Sequence, residues 1–449
     1  MYFLGVLFMA LGISVSIALH EAGHLFWAKK FGVKVTHFMV GFGPTIWSRT
    51  RGETEYGIKA IPLGGYNRIV GMIPPRPGAD PSMVSASTTG RFSQLIDQAR
   101  KDSMEQVTPG DEDRVFYKLS TPKKVVVMMG GPVMNLIIAA VLLGGIFTLY
   151  GVATMTSRVS SVSQCVQTAP SNGKAPAACS PSDPQAPANL AGIRPGDRIL
   201  AMAGQPVSSW DDVRALVRPN GGHKISVVVE RNGQRVSLAA TPILTNVPRY
   251  DAKGNAIVAS DGKAVVDRVG FMGFSPSEEL VKQPVTAVPS LIGTQIAATA
   301  GVVVRIPQKM VGIAKAAFGG GARDPNGPIS VVGVGRVAGE VADGQLAGAI
   351  GSGSGSAKFI ILLGLIASLN IALFVFNMIP LMPLDGGHVA GALWEGLKRQ
   401  VARLRGRPDP GYVDVAKALP VTYVVSVGLI GMAVLLMYAD VVNPIKLGG

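Results

Sequence analysis

Four stretches of this chain are apolar enough to cross a bilayer, whose hydrocarbon core of about 30 Å takes about 20 helical residues. They lie at 2–28, 125–150, 358–381 and 420–440. Backbone placed in lipid must satisfy its own hydrogen bonds, so such runs are committed to helix before anything else about the fold is settled. Composition agrees, with 48% of the 449 residues hydrophobic and only 16% charged, and a mean hydropathy of +0.34. The expected class is a multi-span α-helical membrane protein with four transmembrane helices. The first run lacks a basic leader and a small-residue cleavage site, so it reads as a retained helix and not as a signal peptide.

Basic residues near span ends mark the cytoplasmic side. Lys29, Lys30 and Lys34 follow the first run, Lys118, Lys123 and Lys124 precede the second, and Lys398, Arg399, Arg403, Arg405 and Arg407 follow the third. Only Arg158 and Lys358 lie close to the opposite ends. The expected order is an external N-terminus, a cytoplasmic stretch over 29–124, an exported stretch between the second and third spans, a cytoplasmic loop over 382–419 and an external C-terminus. The net charge of +14 is then in part a topology signal, and no basic stripe interleaved with aromatics points to nucleic acid. Cys165 and Cys179 fall in the exported stretch, where a disulfide can persist and would add about 3 kcal/mol by loop entropy; two free thiols are the alternative.

Between the spans the patterns change. Residues 41–72 alternate short aromatic and β-branched runs with Arg51-Gly52 and Gly64-Gly65, which predicts strands and hairpin turns. From about 73 to 113 the chain is polar, apart from a possible short helix at RFSQLIDQARK. In the exported stretch, RILAMAG, KISVVVE and RVSLAAT read as strands around the helix SWDDVRALV, with Asn232-Gly233 as a hairpin turn. Residues 283–304 are apolar, but two prolines and many small residues weaken a fifth span. A single extra crossing would also carry the end of the 358–381 run to the wrong side. The stretch 276–318 is therefore expected to form amphipathic helices on the exported membrane surface, followed by a linker to 357.

The chemistry is concentrated at the end of the first run, IALHEAGHLF. His20 and His24, four residues apart, share one helix face and can hold one metal ion together, while Glu21 can act as general base. Ionisable groups in a spanning helix cost several kcal/mol unless paired or metal-bound, and a zinc site explains all three at once. The motif lies about 12 Å inside the cytoplasmic helix end at 1.5 Å per residue. A third ligand is needed. Asp385 in FNMIPLMPLDGGHVAG is the leading candidate, His388 the competitor, and Pro380 and Pro383 should break the helix there and leave irregular backbone lining a cavity. His37 and His223 read as ordinary structural or surface residues.

H-E-A-G-H in the first span, with N-M-I-P-L-M-P-L-D-G near the third, resembles the site-2 protease family of intramembrane zinc metalloproteases, peptidase family M50. The run A-G-I-R-P-G-D-R-I-L-A-M-A-G-Q-P-V resembles a PDZ domain over 155–245, which would bind an extended peptide by adding a strand to its sheet. A single such domain is similar to the bacterial subgroup that includes the actinobacterial regulated intramembrane proteases. G-P-V-M-N at 131–135, G-F-G-P…P-L-G-G-Y and N-G-P-I-S at 326–330 also resemble family features. The resemblance implies zinc on His20, His24 and Asp385, with Glu21 as catalytic base. It places Asn377 and Pro380 of the N-x-x-P pattern, and Gly64, Gly65 and Tyr66 of a membrane-associated β-hairpin region, against the substrate; Asn370 fits an interhelical hydrogen bond better.

The expected activity is hydrolysis of a peptide bond in or beside a transmembrane segment of single-pass membrane proteins. Anti-sigma factors and remnant signal peptides are the implied substrates, taken after an upstream site-1 protease has acted, in a bacterial plasma membrane. A member of the same family processing pro-proteins, and a metal-binding scaffold that gathers envelope proteins through its PDZ domain, are the rival readings.

Overall fold

The computed structural model describes residues 1–75, 96, 98, 100–103, 105, 107–166, 179–180, 183–248, 265–321, 323–324, 327–344 and 355–445. Asn326 and most of the polar insertion and the Gly/Ser linker lie outside them. The chain divides into one unit of Met1–Ile146 with Pro284–Gly449 and a second of Phe147–Gln283. Among the described residues five helices are long and apolar enough to cross a membrane: Tyr2–Lys30, Thr121–Tyr150, Val285–Val304, Gly355–Asn377 and Val415–Val442.

In the first unit, α1 (Tyr2–Lys30) is followed by two long antiparallel strands, β1 (Val35–Arg51) and β2 (Thr54–Ile69). Helix α2 (Thr121–Gly145) packs antiparallel to α1. The two meet backbone to backbone: a Cβ on Gly23 would clash with the Gly130 carbonyl, and one on Gly130 would lie 2.5 Å from the Gly23 carbonyl oxygen. Small residues permit such approach in helices that gain little from apolar burial in lipid. The hairpin differs from expectation at one end. The turn does fall at Gly52, but Gly64-Gly65 lie inside β2, and Gly64 takes a positive φ of 109°. There the strand bends instead of turning, so that His37–Val40 pair with both 65–68 and 55–58, while Val35 pairs with Ile69. Positive φ at Gly41 and Gly43 bends β1 opposite, the usual work of glycine at a bulge.

The second unit contains β3 (Val152–Val162), β4 (Arg198–Met202), β5 (Gln205–Pro206), α3 (Trp210–Val217), β6 (Ile225–Arg231), β7 (Gln234–Ala240), β8 (Ile243–Pro248), β9 (Val266–Phe271) and β10 (Phe274–Val281). One sheet runs β10-β3-β4-β6-β7 with β5 on β4, and β8 pairs with β9. Ile199, Met202, Val213, Val227 and Val229 fill its core. Because β10 pairs with β3, the unit extends past both limits of 155–245. Asn232 and Gly233 both have positive φ at the β6–β7 turn, as a two-residue hairpin requires. Cys165 and Cys179 form a disulfide.

The chain then re-enters the first unit through α4 (Val288–Val304), α5 (Ile306–Gly319), α6 (Val331–Asp343), α7 (Gly355–Asn377), α8 (Asp385–Leu404) and α9 (Leu419–Val442). Helix α4 differs from the expectation of an amphipathic helix. It carries no charged residue and so lacks the polar face that an interfacial helix needs. It starts beside Gly144 of α2 and reaches the middle of α7, where Gln295 Nε2 donates to Ser368 Oγ at 3.4 Å. Helix α5 then returns, so that Ile313 and Ala317 meet Leu436 and Ala439 near the end of α9. Asp385 and the histidine pair come together in the fold although the chain holds a fifth helix long and apolar enough to cross a membrane. The loop over 382–419 is likewise mostly helix, α8 beginning at Asp385 itself.

Two buried ion pairs tie helices together. Arg323 pairs with Asp440 of α9, which also accepts from Ser330 N at 2.6 Å. Lys124 of α2 donates to both oxygens of Glu395 on α8, at 2.7 and 2.9 Å, with 5% and 3% of each residue exposed. Glu395 also lies 3.3 Å from Arg399 and accepts from the Val413 amide, so Lys124→Met leaves it partly paired and is expected to destabilise the protein by about 1–3 kcal/mol, part of which Glu395→Leu added to it recovers. Denaturant unfolding in detergent checks both.

In the second unit Ser209 and Asp212 form a capping box at the start of α3. Donation from the Ser208 hydroxyl and the Ser208 and Ser209 amides lowers the Asp212 carboxyl to about 2. A carboxylate held below its unfolded value of about 3.9 contributes stability above that value and loses it as pH falls through the folded one. Protection of the α3 amides, measured relative to their intrinsic exchange at each pH, should therefore fall between about pH 4 and 2, a step that Asp212→Asn flattens.

Candidate active site

Helix α1 presents His20, Glu21 and His24 to the first turn of α8 and the middle of α2. His20 Nε2 and His24 Nε2 are 3.2 Å apart, and Asp385 Oδ2 lies 3.3 and 3.4 Å from them. These are the separations expected of ligands around a tetrahedral zinc, since bonds of about 2.0–2.1 Å place ligand atoms about 3.3–3.4 Å apart. The buried Asp385 Oδ2 has no hydrogen-bond partner. With both imidazoles neutral and bare at Nε2, two nitrogen lone pairs and a carboxylate oxygen would face one another, an arrangement that a cation between them satisfies, so the donor set fits zinc.

The far side of each imidazole is held by α2. His24 Nδ1 lies 2.8 Å from the Val127 carbonyl, which can only accept, so the ring donates there and leaves Nε2 bare. His20 Nδ1 lies 3.0 Å from the Asn135 amide, whose oxygen is buried without a partner. A ligating Nε2 leaves the hydrogen on Nδ1, and turning the Asn135 amide end for end lets its oxygen accept that hydrogen. Gly131 closes the arrangement. A Cβ there would clash with His24 Nε2 and lie 2.6 Å from His20 Nε2, so the space for a metal exists only because this residue has no side chain.

Of the two acidic and imidazole candidates after the third span, the structure brings Asp385 and not His388 to the histidines. His388 lines a small cavity with Lys124, Glu395 and Tyr412. Glu21 accepts from Asn67 Nδ2 at 2.7 Å. Gly65 lies against Glu21, where its Cβ would be 3.0 Å from Glu21 Cγ. Gly64 faces Phe42, and Tyr66, on the opposite face of β2, lies under Lys59. Asn377 closes α7, its amide making no hydrogen bond among the described residues, and Pro380 is exposed in the following turn. Asn370 donates to Ser16 Oγ at 2.9 Å, tying α7 to α1. The roles of Asn67, Asn135 and Gly131 escaped the sequence reading; G-P-V-M-N was a signal for the last two, but nothing local marked Asn67.

The sequence pattern of peptidase family M50 matches residues 8–408. The chain belongs to this family. It is 35% identical over 450 residues to the zinc metalloprotease Rip1 of Mycobacterium tuberculosis, covering 100% of this chain and 99% of that one. It is 31% identical over 457 residues to Rip1 of Mycolicibacterium smegmatis, with the same coverage. A putative zinc metalloprotease of Clostridium acetobutylicum is 27% identical over 389 residues, 87% of this chain and 86% of its own. This M50 chain is thus an integral membrane protein and a zinc metalloprotease.

Gly131→Ala should abolish zinc retention by filling the space between the imidazoles. Asn135→Leu should weaken zinc about 10–100-fold, as loss of an outer hydrogen bond to a ligand does. Metal content after dialysis against graded chelator measures both.

Proposed function

We propose that His20, His24 and Asp385 hold the zinc, that Glu21 is the catalytic base, and that the reaction is hydrolysis of a peptide bond in or beside a substrate's transmembrane segment. The observation that carries this reading is the convergence of two bare imidazole nitrogens and an unpartnered carboxylate oxygen beside Glu21, on a helix as apolar as a membrane span. Zinc, when bound, supplies Lewis-acid polarisation of the scissile carbonyl. Glu21 takes one proton from the attacking water as the new C–O bond forms and returns it to the departing amide nitrogen as the C–N bond breaks. The free amide of Asn377 is suited to donate to the oxygen on which negative charge develops.

A helical substrate hides its amides in its own hydrogen bonds, so it must be drawn out before cleavage. Segment 65–69 lies at one edge of the hairpin sheet, with Gly65 next to Glu21. An edge strand can pair with an extended substrate, and this one would lay it along the base. Capture of that kind also favours single-pass substrates, whose segment can leave its neighbours. Anti-sigma factors and remnant signal peptides, trimmed first by a site-1 protease, are the substrates the family resemblance supports, in a bacterial plasma membrane.

The second unit supports a PDZ role. Strand β10 is at the edge of its sheet, and an apolar cleft beside it is lined by Trp210, Val213, Val217, Met272 and Phe274. Such a cleft takes alternate side chains of an added strand, which suits a sensor of exported peptide ends.

The test compares the membrane proteomes of cells carrying the wild-type chain and Glu21→Gln. Single-pass proteins should accumulate uncut with Glu21→Gln while zinc content stays the same. Unchanged fragment patterns at equal expression would sink the mechanism.

A further inference from the structure

We infer that Asn67 is the positioning residue for the Glu21 base, an inference that rests on the role proposed above for Glu21. The Asn67 amide nitrogen donates to Glu21 Oε2 and to the Glu21 backbone carbonyl, each at 2.7 Å. One NH2 group thereby bridges the main chain and the carboxylate of the same residue. That closes a ring through the side chain and removes the torsional freedom that a glutamate otherwise keeps. Among the described residues no other donor reaches the Glu21 carboxylate, so Asn67 alone sets its direction and leaves Oε1 for the attacking water.

The backbone explains how Asn67 arrives. Residues two apart in a strand share a face, so Gly65 and Asn67 both look toward α1. Gly65 gives the clearance: a side chain there would press on Glu21 Cγ at 3.0 Å and Ile17 Cγ2 at 3.1 Å. The buried Asn67 Oδ1 has no partner, so the site uses the amide as a donor. An amide suits a base better than a cation does. It orients the carboxylate through one oxygen, whereas an ammonium or guanidinium would bind the whole carboxylate and compete with the attacking water for it. The strand that offers an edge to substrate is also the strand that aims the base, so one element sets the position of both reactants.

The experiment uses the full chain in proteoliposomes with two probes: a single-pass reporter that the wild type cleaves, and a peptidyl hydroxamate that binds at the metal and donates to Glu21. Asn67→Asp keeps the shape but replaces the donor with a like charge, and Asn67→Ala removes the donor. Both should lower kcat about 10–100-fold, the usual cost of losing such an outer contact, with zinc content and thermal midpoint unchanged. KM should stay within about 2-fold, as for an interaction made only in the transition state. Hydroxamate affinity should fall with kcat, and Asn67→Asp should lose more than Asn67→Ala although it is closer in shape. A wild-type kcat in both variants would overturn the inference. So would a rise in KM at constant kcat, which would make Asn67 a substrate contact, or a loss that follows thermal stability with Asn67→Ala the worse. Glu21→Gln is run alongside: cleavage retained there removes the base itself, whereas cleavage lost there and kept in both Asn67 variants removes only the present inference.

Discussion

The contact on which the rest of the molecule depends is the meeting of α1 and α2 at Gly23 and Gly130. Nothing but hydrogen separates the two backbones there, and no larger residue fits on either side. From that one crossing follow the Val127 carbonyl against His24, the Asn135 amide against His20 and the bare face of Gly131 against both imidazoles. If the helices stood farther apart, as ordinary side chains would hold them, the histidines would keep their spacing on α1 but lose the groups that fix their rings. Close approach of helices is thus a requirement of the proposed metal site as much as a means of holding the fold together.

Charge burial follows the same logic. Lys124 and Glu395 lock α8 to the N-terminal end of α2, so the helix that carries Asp385 is anchored about three turns from its first residue. Arg323 and Asp440 secure the opposite end, where α5, α6 and α9 meet. Buried ion pairs add little net stability, but they are intolerant of alternatives. In a protein whose helices otherwise present interchangeable apolar faces, such pairs specify which helix lies beside which.

The sequence was most legible where a pattern repeats or a residue type is costly. Four apolar runs, the strands around SWDDVRALV, the Asn232-Gly233 turn and the histidine pair all stand out from their own neighbours. It was least legible where geometry depends on partners far along the chain. Gly64-Gly65 looks like any two-residue turn, and only the double pairing of His37–Val40 shows it to be a bend within a strand. The apolar stretch after 283 reads as too broken by proline and small residues for a span, yet it forms a fifth helix long and apolar enough to cross a membrane. Asn67 sits in an unremarkable run of strand residues, and its importance exists only because β2 folds back onto α1.

By itself, the sequence determined the class of protein, the helix that carries the residues proposed as base and two ligands, and the chemistry such residues would select, because hydropathy, helical periodicity and metal preference are properties of short stretches. The tertiary structure decided that Asp385 and not His388 meets the histidines, that α2 supplies their outer hydrogen bonds, and that a hairpin strand holds Glu21. Those are distances between residues tens to hundreds of positions apart, and only the close meeting of glycine-bearing helices and a bent strand sets them.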